Sequence, residues 1–132
     1  MHHSHPAFLE VTRTCQLIQG LFSGADTAPA ACIRLLAHFS EHFSMTATGG
    51  QQLDYQMLAS FFAQAAGSKR GLQIVVTDLA VLYESQQAVV VRYREAQEFG
   101  DGSANLRHAT ALFDKSTGGG MLWRHLHETM QA

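Results

Sequence analysis

A chain of 132 residues with 46% hydrophobic and 15% charged side chains can fill one packed core, is too short for two, and is too apolar for a disordered chain. Nine Lys and Arg against eleven Asp and Glu leave a net charge of −2, so no cationic surface for nucleic acid is expected. No run of 18 apolar residues marks a membrane span, and no membrane partner is expected.

The start, Met1-His2-His3-Ser4-His5-Pro6, has no cationic stretch leading into an apolar one. It reads as a flexible tail over 1–6 of a cytoplasmic protein, not as a secretory leader. His3 behind a free amino terminus can chelate copper or nickel adventitiously. From Phe8 the apolar positions Phe8, Val11, Cys15, Ile18 and Leu21/Phe22 fall at helical spacing, with Pro6 suited to the first turn and Gly24 to the stop. A second helix is expected from Asp26 or Thr27, carrying Pro29 in its first turn and then Cys32, Ile33, Leu36 and Phe39. Cys15 and Cys32 are too few for a disulfide framework and read as reduced thiols, with a single bridge between neighbouring helices as the alternative.

Phe43 to Thr48 alternates apolar and polar residues, and Gly49-Gly50 turns it, which predicts a strand and hairpin. Asp54 then caps a third helix, with Leu53 and Leu58 at the staple positions. Leu58, Phe61, Phe62 and Ala65 make its apolar face, and Gly67 ends it. The rest reads as long strands with short turns: 72–84, 88–99, 105–114 and 122–130. The strongest turn signal is Gly100-Asp101-Gly102-Ser103. Helices followed by a meander predict a single α+β domain over 1–132, with three N-terminal helices on one face of a bent, mixed but mostly antiparallel sheet.

Turn geometry predicts which side chains share a face. A two-residue turn at Asp101-Gly102 would pair Arg94 with Ala109 and Arg92 with Ala111. Pairing Phe113 with Trp123 across the glycine turn would set His125 opposite Ala111 and His127 opposite Ala109. One face would then carry Arg92, Arg94, Arg107, Trp123, His125 and His127 around two small alanines. The other would carry Val89, Val91, Tyr93, Leu106, Thr110, Leu112 and Leu126. If the first face lines a pocket, its arginines can hold a carboxylate or enolate-like anion and His125 or His127 can move a proton. If the aliphatic face lies under the helices instead, the arginines are simply solvated or form a dimer surface. A one-residue slip at the second turn would carry both histidines across the sheet. Tyr55 and Glu41 are further candidates for the pocket mouth.

The order of elements, the strand Val91-Arg-Tyr-Arg-Glu-Ala-Gln97 and the ending Trp123-Arg-His-Leu-His-Glu-Thr129 resemble the nuclear-transport-factor-2-like superfamily over Phe8–Thr129. The likeness is to its bacterial SnoaL-like and steroid-isomerase-like branch and to the association domain of calmodulin-dependent kinases. The resemblance implies a cone-shaped, cystatin-like half-barrel with a cavity between helix and sheet, and a homodimer. In the association-domain comparison a pocket arginine corresponds to Arg94, whereas a second one falls at Ala111. The resemblance implies isomerisation, cyclisation, dehydration, epoxide hydrolysis or no catalysis, so fold does not fix function.

The ligand-binding candidates are thus Arg92, Arg94, Arg107, Trp123, His125, His127 and Tyr55, around a small molecule such as a carboxylate. A steroid-isomerase-type trio of base carboxylate, tyrosine and protonated acid cannot be placed from the sequence. His125 and His127 lie on one side of a strand, but a catalytic zinc needs a third protein ligand, so no metal and no cofactor is expected.

Overall fold

The computed structural model describes residues 5–132. Residues 1–4, including His3 and most of the expected tail, lie outside the described residues. His5 and Pro6 belong to the start of helix α1 (Pro6–Ser23): the Ala7 amide donates to His5 Nδ1 at 3.0 Å. Phe8, Val11, Cys15 and Phe22 are buried along its inner stripe, and Gly24 closes it with φ 91°. Helix α2 (Pro29–Leu36) is shorter than expected, and Phe39 begins strand β1 (Phe39–Thr46) instead of extending the helix. Strand β2 (Gln52–Asp54) leads into helix α3 (Tyr55–Ala65), where Asp54 Oδ1 accepts the Met57 amide at 2.8 Å, as the capping reading requires.

Four long strands follow: β3 (Gln73–Glu84), β4 (Ala88–Glu98), β5 (Ala104–Lys115) and β6 (Met121–Met130). The sheet runs β2-β1-β6-β5-β4-β3. Among the described residues only the β1–β6 pairing is parallel, and the others are antiparallel. Register shifts interrupt β1–β6, β3–β4 and β5–β6. Such irregularities bend strands, and the sheet curls without closing around the helices. Asp78 sits at one of them with φ 57°, a left-handed conformation that Asp tolerates better than most residues. Three helices on a curled, mixed sheet is the expected α+β architecture. No helix among the described residues is long and apolar enough to cross a membrane.

A short strap fixes the helices to the sheet. The amides of Gly67 and Lys69 donate to the Leu21 and Phe22 carbonyls at the end of α1, each at 2.9 Å. These carbonyls have no partner within the helix, and the strap supplies one. The Gly100 amide in the β4–β5 turn donates to the Arg70 carbonyl at 3.1 Å. The strap therefore presents Lys69 between α1 and the end of β4.

Two expectations about register need correcting. The Phe99 amide donates to the Ser103 carbonyl at 2.9 Å, so the β4–β5 turn has three residues, not two. Gly102, at φ 89°, takes its left-handed position. Tyr93 then opposes Ala109, and Arg94 opposes His108. Across the second turn Phe113 does pair with Trp123, but a bulge follows at once and Leu112 opposes His125. The extra residue reverses the alternation of β6, because side-chain direction has a period of two. The face under the helices therefore carries Val89, Val91, Tyr93, Glu95 and Gln97 from β4, Ala109, Ala111 and Phe113 from β5, and Trp123, Leu126 and Glu128 from β6, all buried.

Candidate functional site

A cavity of about 480 Å³ lies between this inner face and the helices. Most of its wall is apolar: Ile18 and Phe22 of α1, Phe39, Phe43 and Met45 of β1, and Leu58, Phe61 and Phe62 of α3. The rings brace one another. Phe22 meets Phe61 edge-on at 5.6 Å, and Phe39 stacks on Trp123 at 5.6 Å.

The ionisable side chains of the lining gather together with Gln97: Cys15, Lys69, Tyr93, Glu95, Arg107 and Glu128, while Thr14, Thr48, Gln51 and Gln52 are its other polar members. Arg107 Nη1 donates to Glu128 Oε1 at 3.1 Å, its Nη2 donates to Gln97 Oε1 at 3.4 Å, and Nε donates to Asn105 Oδ1 at 3.3 Å. Gln97 Nε2 donates to Glu95 Oε2 at 2.6 Å, and Cys15 Sγ donates weakly to Glu95 Oε1 at 3.8 Å. Lys69 Nζ rests 5.3 Å from the Phe22 ring centroid and 5.8 Å from that of Phe99, a cation–π arrangement. Among the described residues it has no ion-pair partner.

Burial dominates the protonation chemistry of the cluster. It raises Glu128 to about 7, with the Glu95 carboxylate adding to the effect and Arg107 opposing it. Desolvation thus outweighs the ion pair. Burial also pushes the Tyr93 hydroxyl and Cys15 thiol well above their usual ranges, helped by neighbouring acidic groups. Both stay protonated at neutral pH. Lys69 is lowered, by burial first and by Arg107 second. The cluster can donate hydrogen bonds from Tyr93, hold an anion at Lys69, and accept or release one proton at Glu128 near neutral pH.

A second polar network holds the wall. Glu10 Oε2 accepts from Thr14 Oγ1 at 2.9 Å and from Trp123 Nε1 at 3.2 Å, and lies 2.6 Å from His38 Nδ1. Trp123 Nε1 also lies 3.1 Å from Thr14 Oγ1. This fixes the indole between α1 and the sheet.

Of the residues singled out in the sequence, Arg107 and Trp123 line the cavity. Arg92, Arg94, His125 and His127 do not: the three-residue turn and the β6 bulge place them on the outer face. There Arg94 Nη1 donates to Asp78 Oδ2 at 3.1 Å, while its buried Nε has no partner among the described residues. His125 Nδ1 lies 2.7 Å from Ser44 Oγ. His127 is exposed and shares that face, but no third metal-ligating side chain gathers with the pair among the described residues. Tyr55 is half-buried against the core at the start of α3, outside the cavity lining, and Glu41 is exposed. Both cysteines are free. The sequence reading passed over Lys69, Glu95, Gln97 and Glu128. A usable signal was the unbroken alternation Val89, Val91, Tyr93, Glu95, Gln97, in which one face turns from aliphatic to polar without leaving the strand.

The sequence matches no protein-family profile and no curated protein. Solved structures do match. A nuclear-transport-factor-2-like protein of unknown function from Pseudomonas aeruginosa superposes with a TM-score of 0.93 at 27% identity, over 97% of this chain and 100% of that one. A proposed dehydratase of the same family from Streptomyces avermitilis gives 0.73 at 14% identity, over 94% and 95%. A proposed ketosteroid isomerase from Shewanella frigidimarina gives 0.71 at 13%, over 96% of each chain. With helices seated on a curled, unclosed sheet around a cavity, and these matches running nearly end to end, the chain has the nuclear-transport-factor-2-like fold.

Proposed function

We propose that the protein is a cytoplasmic small-molecule-binding domain whose cavity takes an amphipathic ligand with an apolar body and a carboxylate head. The carrying observation is the division of the cavity into an aromatic wall and one charged cluster that contains Lys69, a cation without an ion-pair partner among the described residues. Apolar burial against the phenylalanine rings supplies affinity, and Lys69 with Arg107 orients the head. The anion clamp sought at Arg92 and Arg94 thus moves to the opposite face of the sheet. The test uses Trp123, the only tryptophan of the chain, as reporter. Titration with 4-phenylbutanoate should change its fluorescence saturably, and Lys69→Met should weaken that binding about tenfold, the worth of one charge-assisted hydrogen bond. Absence of a saturable change would remove the reading.

A second reading is favoured by the near-neutral carboxyl of Glu128 beside a protonated Tyr93. Together they suit proton transfer next to a carbonyl, with Glu128 as base and Tyr93 as donor to the oxygen. The likeness to a proposed isomerase and a proposed dehydratase supports that class. Deuterium exchange into cyclic ketones in heavy water, lost in Glu128→Gln, is the expected signature.

We also propose a homodimer formed through the outer sheet face. Supporting it, Val75 and Tyr83 are 52% and 62% exposed beside half-buried Val90, Leu106 and Leu112. Monomers seldom leave such a face to water.

A further inference from the structure

The polar cluster holds matched charges, and this constrains how an anion can enter. Every titratable or charged group of the lining that faces Glu128 can be named by element. Cys15 comes from α1, Lys69 from the strap, Tyr93 and Glu95 from β4, and Arg107 from β5. The β1–β2 hairpin adds only neutral side chains, Thr48, Gln51 and Gln52 among them, and α3 adds only apolar side chains. When Glu128 is ionised, it and Glu95 balance Lys69 and Arg107. Arg107 is already committed to Glu128, Gln97 and Asn105. A carboxylate arriving beside Lys69 would leave one surplus negative charge in a site screened from water, where such a charge is costly. Of the two carboxylates Glu128 is the one placed to remove it: its side chain is 6% exposed and among the described residues accepts only from Arg107, whereas Glu95 accepts from Gln97 Nε2 and Cys15 Sγ.

Resting on the cavity reading above, we infer that the protein binds its carboxylate ligand together with one proton, which Glu128 takes from solvent as the ligand anion settles against Lys69. The balance is one ligand anion and one proton in, with no bond broken in the ligand. The neutral Glu128 gains an O–H donor for Arg107's neighbours or for the ligand head, and the guanidinium freed from its ion pair can turn its charge toward the anion. Binding is therefore tighter at acidic pH, and the domain releases its ligand as the surroundings become alkaline. Burial raises Glu128 to about 7, so the dependence falls in the physiological range.

The experiment is calorimetric titration of the full chain with 4-phenylbutanoate, and with its neutral amide as control, in buffers of different ionisation enthalpy from pH 6 to 9. The acid is ionised throughout that range, so its own titration does not intrude. We expect most of one proton to be taken up per carboxylate at pH 8, with affinity falling up to about tenfold per pH unit above 7. The amide should bind without proton uptake and without that pH dependence. Glu128→Gln should bind the carboxylate with no uptake and a flat profile, and if that variant does not fold, the two-buffer comparison on the wild-type chain still decides. Carboxylate binding without proton uptake at pH 8 would overturn this inference and leave the cavity reading standing. Failure of the wild-type chain to bind the carboxylate at any pH would overturn the cavity reading itself.

Discussion

Arg107 and Glu128 meet diagonally across β5 and β6, Nη1 to Oε1 at 3.1 Å, with the arginine side chain 17% exposed and the glutamate 6%. A pair this buried is more costly to break than valuable to keep. Arg107→Leu should destabilise the fold by roughly 3 kcal/mol, because it strands the Glu128 carboxyl. The double replacement Arg107→Leu with Glu128→Leu should recover most of that loss. Urea denaturation of the two singles and the double gives the coupling directly, and additive losses would show that the pair does not interact.

The same carboxyl makes stability depend on pH, and the sign is set by its raised value. Between 4.5 and about 7 the folded chain holds a proton on Glu128 that the unfolded chain has released. Stability conferred by that proton is present below 4.5, falls as pH rises through the window, and stays lost above about 7. Glu128→Gln carries no such loss. The variant should gain on the wild-type chain from pH 5 to pH 8 by up to roughly 3 kcal/mol. Thermal melts across that range check it, and parallel curves for the two proteins would contradict it.

Most of the architecture could be read from the chain because its signals are local. Pro6 and Gly24 bound α1, Asp54 caps α3, and the Gly-rich turns separate the strands. The site depends on parity, and parity is set by single residues. One additional residue in the Gly100–Gly102 turn moved Arg92 and Arg94 outward, and one bulge beside Trp123 moved His125 and His127 with them. Arg107 and Trp123 kept their inward placement because they lie on the near side of those irregularities in the alternation. A bulge carries no composition signal here: Trp123-Arg124-His125 reads as regular strand. It coincides with an irregularity in the parallel β1–β6 pairing, where Phe39 opposes Trp123 and Ser44 opposes His125, a pairing between distant segments that local reasoning does not reach.

Trp123 links the cavity wall to Glu10 and Thr14 through its indole nitrogen. Trp123→Phe keeps a ring against Phe39 and Phe113 but leaves the network without its central donor. The expected loss is about 1–3 kcal/mol, the cost of unpaired buried groups. Circular dichroism must follow it, since the variant has no tryptophan. Glu10→Gln should cost a similar amount, and the double variant less than the sum, if the donor and acceptor act on each other.

Association through the outer face should be visible in solution as a mass of twice 14.5 kDa. Tyr83→Glu places a charge among Val90 and its apolar neighbours. It should shift the molecule toward monomer without lowering single-chain stability much, because Tyr83 is 62% exposed in the isolated chain. Light scattering at micromolar concentration decides. A wild-type mass of one chain would rule out the dimer, and a dimer unaffected by the substitution would locate its interface elsewhere.

Gly71 and Gly100 bring two backbones together where the strap meets the β4–β5 turn, and this contact positions Lys69. Gly71 has φ 73°, and a Cβ there would lie 2.7 Å from Gly100 Cα. A Cβ on Gly100 would lie 2.7 Å from the Arg70 carbonyl oxygen. In each case the obstacle is backbone, which cannot swing aside as a side chain can. Gly71→Ala adds the cost of a left-handed conformation to the clash and should lose roughly 2–3 kcal/mol. Gly100→Ala should also destabilise, by prying the strap from the turn. Both should weaken carboxylate binding more than amide binding, since Lys69 moves with the strap while the aromatic wall stays in place. Gly20 provides the opposite case. It lies inside α1 with nothing within 4 Å of an added Cβ, so Gly20→Ala should stabilise by about 0.5–1 kcal/mol. Denaturation midpoints of the three variants, read beside their affinities for 4-phenylbutanoate and its amide, separate backbone strain from loss of the cation. A Gly71→Ala protein of unchanged stability would show that the strap is not held as close to the turn as these contacts require.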